Sequence, residues 1–513
     1  MAGINTSRET GAAAVRFRHP AGPGCPRRRW GRALLWAGCA AAAGLAGASC
    51  ASYSTRLRAL RETVASGDLE QAAARIDKET EPGELLHHLE QGLVLRLAGD
   101  YRASNVELEQ AEILLEELYT ISLSRRGLTF LLHDEADAYR GEEHEASYLH
   151  FYRILNFLAL EERGAAVVEA RRLALRLETL RTGEAAASRT DPLLEYFTGV
   201  LFETSGEWNE ALIAYRLAAA GWVDSARAGT APPPWLAADL SRAAARAGIA
   251  LEAVPELAAL AGEPEVGRAG SGGEESPGPV GDLFVLFEKG WTPAKVSEHV
   301  RVPLLRTEVE WKDSPSGEEK DERSAAAGRA MAERYREQRR TGAWPVERTE
   351  IAYVLDAAVP VLAEAPLGRA AACRVIARQA DGGVDSRAAR TLRVADLAER
   401  TRQAFREREP AILARTFARA LVKYLAKNQA EKQGGKLMGV LANLLGVATE
   451  KADTRAWLLL PGEIQAARLR LPPGEYDLRL AALDAQGDEL ERRDLRVRIA
   501  AGEVSFVSWR SFR

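Results

Sequence analysis

The sequence predicts an α+β multidomain protein. An N-terminal all-α array of helical hairpins precedes a C-terminal α/β region that ends in a small antiparallel β-sandwich. Three observations carry this expectation. Before residue 262 the chain reads as one amphipathic helix after another, with Ala and Arg abundant. Gly262 to Gly281 holds Gly-Ser-Gly-Gly-Glu-Glu-Ser-Pro-Gly-Pro and almost no large apolar residue, which makes it a flexible connector. After it, short apolar or alternating runs bounded by Gly and Pro read as strands. The expected divisions are 1–49, a signal segment with an N-terminal extension; 50–261, the helical array; 262–281, the linker; 282–450, mixed α/β; and 451–513, a C-terminal β module.

The first division rests on Arg27-Arg28-Arg29-Trp30-Gly31-Arg32, followed by an uncharged run from Ala33 to Ser49 that ends at Cys50. A basic cluster, a short apolar run and small residues before a cut are the marks of a secretion signal. The run is short of the roughly 20 apolar residues of a membrane-spanning helix. An anchor that stays attached is the competing reading. Leu45-Ala46-Gly47-Ala48-Ser49-Cys50 resembles the lipobox of bacterial lipoprotein signals, with Gly47 where the pattern usually has Leu. The resemblance implies cleavage before Cys50 and lipid attachment there. Cys39 is a rival acceptor, but bulky Trp36 sits three residues before it. Ala51 and Ser52 lack the Asp that retains familiar lipoproteins at the inner membrane, so the resemblance implies an outer-membrane anchor facing the periplasm.

Removing residues 1–49 takes away seven Arg and one acid and leaves 62 basic and 72 acidic residues, a net charge of −10. That balance argues against nucleic acid, which needs a basic face. Cleavage removes Cys25 and Cys39, lipid occupies Cys50, and Cys373 is left alone in an apolar run as a small core residue. No disulfide is expected, no Cys/His cluster has zinc spacing, and no cofactor is implied.

Within the array, Gly67-Asp68-Leu69, Gly99-Asp100-Tyr101 and Gly206-Glu207-Trp208 each end one helix and start another. The first two lie near the ~34-residue tetratricopeptide period. In the last copy Gly199 and Phe202 lie in the first helix, and Ala211, Tyr215 and Ala218 share a face of the second. The Gly92 copy repeats this with Leu95, Gly99, Ser104, Leu108 and Ala111. A degenerate copy runs through Tyr152, Phe157, Ala166 and Ala170, and another pair follows Pro234. Two helices approach closely only where Gly or Ala lets them, and each pair must stack on neighbours to bury its apolar face. A stacked array implies a groove that binds protein or peptide partners, with Tyr101, Phe202, Trp208 and Tyr215 as the candidate contact residues. A plain helical bundle is the alternative. The insertion Ser122 to Glu143, with His133-Asp134-Glu135, covers the groove, forms part of it, or caps the helix ends.

Cys50-Ala51-Ser52-Tyr53-Ser54, Leu97-Ala98-Gly99-Asp100-Tyr101-Arg102-Ala103-Ser104-Asn105, Tyr139-Arg140-Gly141-Glu142 and Gly206-Glu207-Trp208-Asn209-Glu210-Ala211 carry a family resemblance. So do Ala452-Asp453-Thr454-Arg455-Ala456-Trp457 and Leu471-Pro472-Pro473-Gly474-Glu475-Tyr476. Together they resemble an uncharacterised family of bacterial tetratricopeptide-repeat-like envelope lipoproteins. The resemblance implies an envelope location and no established activity.

In the C-terminal half, Gly281 to Glu288 reads as a buried strand, followed by Val300–Pro303, Thr307–Trp311, Ile351–Leu362 and Ala370–Ala377. Lys312 to Arg323 reads as a loop and Ser324 to Arg340 as a polar helix. Val394 to Lys427 is helical, broken or kinked at Pro410, with Arg415, Arg419 and Lys423 opposite the apolar stripe. Leu437 to Val447 is apolar all round and is either a buried helix or an exposed hook. From Trp457 to Phe512 the chain reads as β, starting with Trp457–Leu460 and alternating clearly in Tyr476, Leu478, Leu480 and in Leu495, Val497, Ile499.

Catalytic candidates are His133 with Asp134 and Glu135, and His144 with Glu145 and His150. No Gly-x-Ser-x-Gly, His-Glu-x-x-His or paired CxxC accompanies them, and adjacent His87 and His88 point to different sides of a helix. The expected role is therefore a non-enzymatic, membrane-anchored scaffold. An accessory subunit of a secretion or peptidoglycan-synthesis complex is the alternative, and a hydrolase comes third.

Overall fold

A computed structural model describes residues 53, 58–124, 139–182, 191–226, 229–261, 279–310, 346–365, 367–380, 386–434 and 452–513. Cys50, His133, Ser324–Arg340 and Leu437–Val447 lie outside the described residues.

The chain is α+β, a helical array followed by strands. The helices are α1 (Arg58–Ser66), α2 (Leu69–Glu79), α3 (Leu85–Leu97), α4 (Tyr101–Ser124), α5 (Glu143–Ala159), α6 (Arg163–Thr182), α7 (Pro192–Thr204), α8 (Trp208–Ala226), α9 (Leu236–Arg246) and α10 (Pro255–Ala261). The Gly-acid turns have a common cause. Gly99 and Gly206 take φ of +84° and +78°, the left-handed state that closes a helix C-terminus. The amide of the next residue then reaches back to Leu95 O or Phe202 O. The acid can serve the following helix: Asp68 Oδ1 accepts from Gln71 N at 3.0 Å, and Asp100 Oδ1 from Ala103 N at 3.0 Å. In the degenerate copy Glu161 takes that left-handed state, at φ 61°, which explains why the turn carried no glycine signal.

Small residues set the hairpin spacing. A Cβ on Gly199 would stand 2.7 Å from the ring of Tyr215, and one on Gly92 2.7 Å from Leu108 Cδ2. Ala166 and Ala170 are fully buried in the third pair.

The strands are β1 (Gly281–Lys289), β2 (Lys295–Glu310), β3 (Val346–Leu362), β4 (Ala372–Gln379), β5 (Ser386–Arg390), β6 (Leu392–Asp396), β7 (Glu463–Leu471), β8 (Gly474–Leu483), β9 (Glu489–Ile499) and β10 (Val504–Ser511). Two four-stranded sheets have the orders β10-β1-β7-β6 and β5-β4-β8-β9. They pack face to face through Leu283, Val285, Phe287 and Trp509 on one side and Val375, Leu478 and Leu480 on the other. The opposite face of the first sheet, with Phe284, Leu286, Ile464 and Ala466, packs on the helices. The resulting order is helices, sheet, sheet. β1 is covered on both faces, which is why its sequence is a continuous apolar run. Its pairing with β10 is parallel and that with β7 antiparallel. Strands from 463–511 thus interleave with strands from 281–396, and residues 451–513 share both sheets with the region before them.

Several local expectations change. Trp457–Leu460 is a buried turn rather than a strand, because side chains instead of a neighbouring strand take its backbone groups. Val394 belongs to β6, and helix α11 (Leu397–Gly434) continues through Pro410. Arg419 on that helix is buried rather than solvent-facing. α11 lies along the long β2–β3 hairpin, with Phe417, Ala420 and Tyr424 against Val302 and Ala357. Cys373 is fully buried, as expected of a small core residue, and burial pushes its thiol up to about 12.

Candidate functional site

A stack of helical hairpins has a concave face that can take a ligand. Here the first helices α3, α5, α7 and α9 meet the chain's own first sheet. Tyr196 and Trp235 pack on Phe284, Phe197 on Phe506, and Tyr152 on Trp457, with ring centroids 5.0–6.1 Å apart. Such edge and tilted contacts add to the area they bury.

Polar groups fix the register of this contact. Glu90 of α3 is fully buried. Its carboxylate accepts from Leu458 N at 2.7 Å and Leu459 N at 3.1 Å, with Tyr53 Oη at 3.4 Å. Glu145 of α5 accepts from Trp457 N at 2.7 Å, from Tyr139 Oη and from Glu142 N. Arg61 Nε donates to Leu458 O at 2.8 Å, and Arg510 donates to Leu459 O. The 457–459 backbone is therefore held as a bound peptide would be, by side chains matched to its amides and carbonyls. A buried segment outside any ladder needs such partners for its backbone.

A second anchor joins α9 to the first sheet. Arg468 of β7 forks onto Asp239 of α9 at 2.6 and 2.8 Å and onto Asp282 of β1 at 2.9 and 2.7 Å. Tyr196 Oη also donates to Asp239, at 2.7 Å. Two carboxylates raise the Arg468 pKa far above its ordinary value despite burial, so the cation is secure. Between the anchors, Arg96 donates to Asn156 Oδ1 and to Ser508 Oγ of β10, and Tyr152 Oη donates to Glu288. Trp222 Nε1 donates to Val394 O at 3.1 Å.

The four candidate groove residues separate. Phe202 is buried, and Tyr215 is wholly buried against Gly199 with its hydroxyl on Glu203 at 2.6 Å. Tyr101 and Trp208 are half-buried at the starts of α4 and α8, under the guanidinium groups of Arg96 and Arg246 at 5.7 and 5.4 Å. An aromatic beside a small residue is what the repeat uses to fill its own hairpin, so Phe202 and Tyr215 point inward.

His144 and Glu145 do meet in one cleft, with Glu142, Lys295, Thr401, Phe405 and Trp457. Burial works against the Glu142 charge, but Lys295 at 2.6 Å and Arg408 hold its carboxyl down at about 2. Burial lowers His144 to about 4. These contacts tie the start of α5 to β2 and α11. His150 instead pairs with Glu169 at 2.6 Å, inside a cluster with Arg153 and Glu112.

Burial also pushes the Glu90 carboxyl up to about 8, against the pull of the Leu458 and Leu459 amides and of Arg61. An acid whose folded value lies above its unfolded value of about 4.5 binds extra protons when folded. Its contribution is fullest below about 4.5 and is lost as pH rises through about 8. Glu90→Gln should flatten that decline by about 1–3 kcal/mol between pH 5 and 9, read from urea unfolding at each pH. An unchanged slope would refute the assignment.

The second helices face the other way. Val106 and Ile113 on α4, Val168 and Leu175 on α6, and Ile213 on α8 are exposed. The first two pairs are seven residues apart, two turns, and so share a face. Arg172 to Glu112 and Arg171 to Glu207 bridge these helices at 3.2 and 2.6 Å. Among the described residues no helix is long and apolar enough to cross a membrane.

No family model matches the chain, and no curated protein matches it. Three solved chains match. One is the crystal structure of MamA protein, 13% identical, covering 40% of this chain and 89% of that one at a TM-score of 0.25.

Proposed function

We propose that this protein is a lipid-anchored scaffold of the bacterial envelope, held through Cys50, that binds a protein partner on the outer helices of its array. One observation supports placing the partner there. The inner face is committed to the chain's own sheet and 457–459 turn, while the second helices leave Val106, Ile113, Val168, Leu175 and Ile213 uncovered. Isolated exposed apolar residues are ordinary; their recurrence on three successive second helices is the distinguishing feature. The helical hairpins supply a rigid surface, and the sheets brace it. The role is binding rather than catalysis.

Photocrosslinking residues placed at Leu175 and Ile213, with Arg496 on β9 as control, test this in cells. Protein adducts specific to the first two positions are expected. Equal labelling from all three would contradict the proposal. Secretion or cell-wall enzymes among the adducts would make the protein an accessory subunit of such a complex. Labelling with a radioactive fatty acid checks the anchor: it should disappear in Cys50→Ala.

A further inference from the structure

The sequence sets His87 and His88 on different sides of a helix, yet the structure brings their rings to 5.2 Å, edge to face, at the start of α3. Glu107 of α4 joins them: one ligand-capable atom from each of the three lies within 4.8 Å of the others. His88 Nδ1 stands 2.7 Å from Glu107 Oε2. A carboxylate from a third helix faces the group, with Asp77 Oδ1 of α2 4.0 Å from His87 Nε2.

The surroundings orient these atoms. Thr80 Oγ1 has one proton, and it goes to Ile76 O at 2.7 Å. The 3.0 Å contact between Thr80 Oγ1 and His87 Nδ1 therefore uses the ring N–H as donor. That leaves His87 Nε2 as the atom free to ligate, on the side of Asp77. Gln91 Nε2 in turn donates to Asp77 Oδ1 at 2.8 Å and to Ala73 O at 3.1 Å. A metal-binding histidine is commonly oriented by a hydrogen bond from its other ring N–H, and here the Thr80 hydroxyl takes that bond.

We propose that Asp77, His87, His88 and Glu107 bind one zinc ion that staples α2, α3 and α4. Bonds of about 2.0–2.2 Å in a tetrahedron put ligand atoms roughly 3.3 Å apart, between the 2.7 and 4.0 Å separations here. Two imidazoles and two carboxylates suit zinc in both charge and donor type. The comparable group Glu112, His150 and Glu169 does not qualify: Arg153 and Arg172 already sit on both carboxylates and would repel a cation.

The test uses the full mature chain, stripped with chelator, then titrated with zinc by calorimetry and with cobalt by visible absorption. One zinc per chain and the intense ligand-field band of tetrahedral cobalt are expected. Glu107→Gln and His88→Gln should weaken binding by more than about tenfold, and Thr80→Val, a positioning change, by roughly tenfold. Thermal unfolding should shift upward with zinc in the wild type and not in Glu107→Gln. Absence of stoichiometric zinc binding, a weak octahedral cobalt spectrum, or binding indifferent to Glu107→Gln and His88→Gln would overturn the site.

Discussion

Arg468→Met is expected to destabilise the protein by about 3–5 kcal/mol, the cost of breaking a buried ion pair from one side. The guanidinium bridges Asp239 in the helical array and Asp282 in the sheet, and its side chain is 7% exposed. Without it Asp239, itself 1% exposed, keeps Tyr196 and Arg242 among the described residues, and Asp282 keeps a distant Arg470 at 3.8 Å. Methionine preserves much of the volume beside Phe284, over which Arg468 lies at 5.2 Å, so the loss measured is mainly electrostatic. Pairing it with Asp239→Asn in a double-mutant cycle should return part of the cost, because the orphaned carboxylate is then gone. Chemical denaturation of the four proteins checks this. A single-variant loss below about 1 kcal/mol would mean that the helix–sheet contact does not depend on this bridge.

Trp457→Ala should cost a similar amount, about 3–5 kcal/mol, through the cavity left by a fully buried ring. The indole packs on Tyr152 at 6.0 Å and lines the cleft beside His144 and Glu145. Its Nε1 has no hydrogen-bond partner among the described residues. Trp457→Phe keeps the ring contact and removes that unpaired donor, so it should lose far less than the alanine variant. Equal losses in the two would show that shape at this position, rather than the removed volume, sets the cost.

Much of the architecture was legible because it is written in local chemistry. Gly67, Gly99 and Gly206 sit where a helix must close in the left-handed state, and the adjoining acids Asp68 and Asp100 cap the next helix. Gly199 beside Tyr215 marks a close hairpin, and the unbroken run of β1 marks a strand covered on both faces. What stayed hidden depends on partners far along the chain. Trp457–Leu460 looks like a strand by composition, but the carboxylates of Glu90 and Glu145, more than 300 residues earlier, take its amides while Arg61 and Arg510 take its carbonyls, which makes it a turn. The same distance conceals the filled inner face, since neither Arg468 nor Asp239 signals its partner. His87 and His88 were set apart by helical geometry alone, which takes no account of side-chain rotation toward Glu107.

The array's inner face is sealed by the chain's own C-terminal segment. Hydrogen exchange followed by mass spectrometry tests it most directly, on peptides covering 456–466 and on those from α3, α5 and α7. If the claim holds, the amides of Trp457, Leu458 and Leu459 exchange as slowly as the helices that hold them, and all open together with global unfolding. Rapid exchange across 456–466 while the helices stay protected would contradict it, and would return the inner face to partners as an open groove.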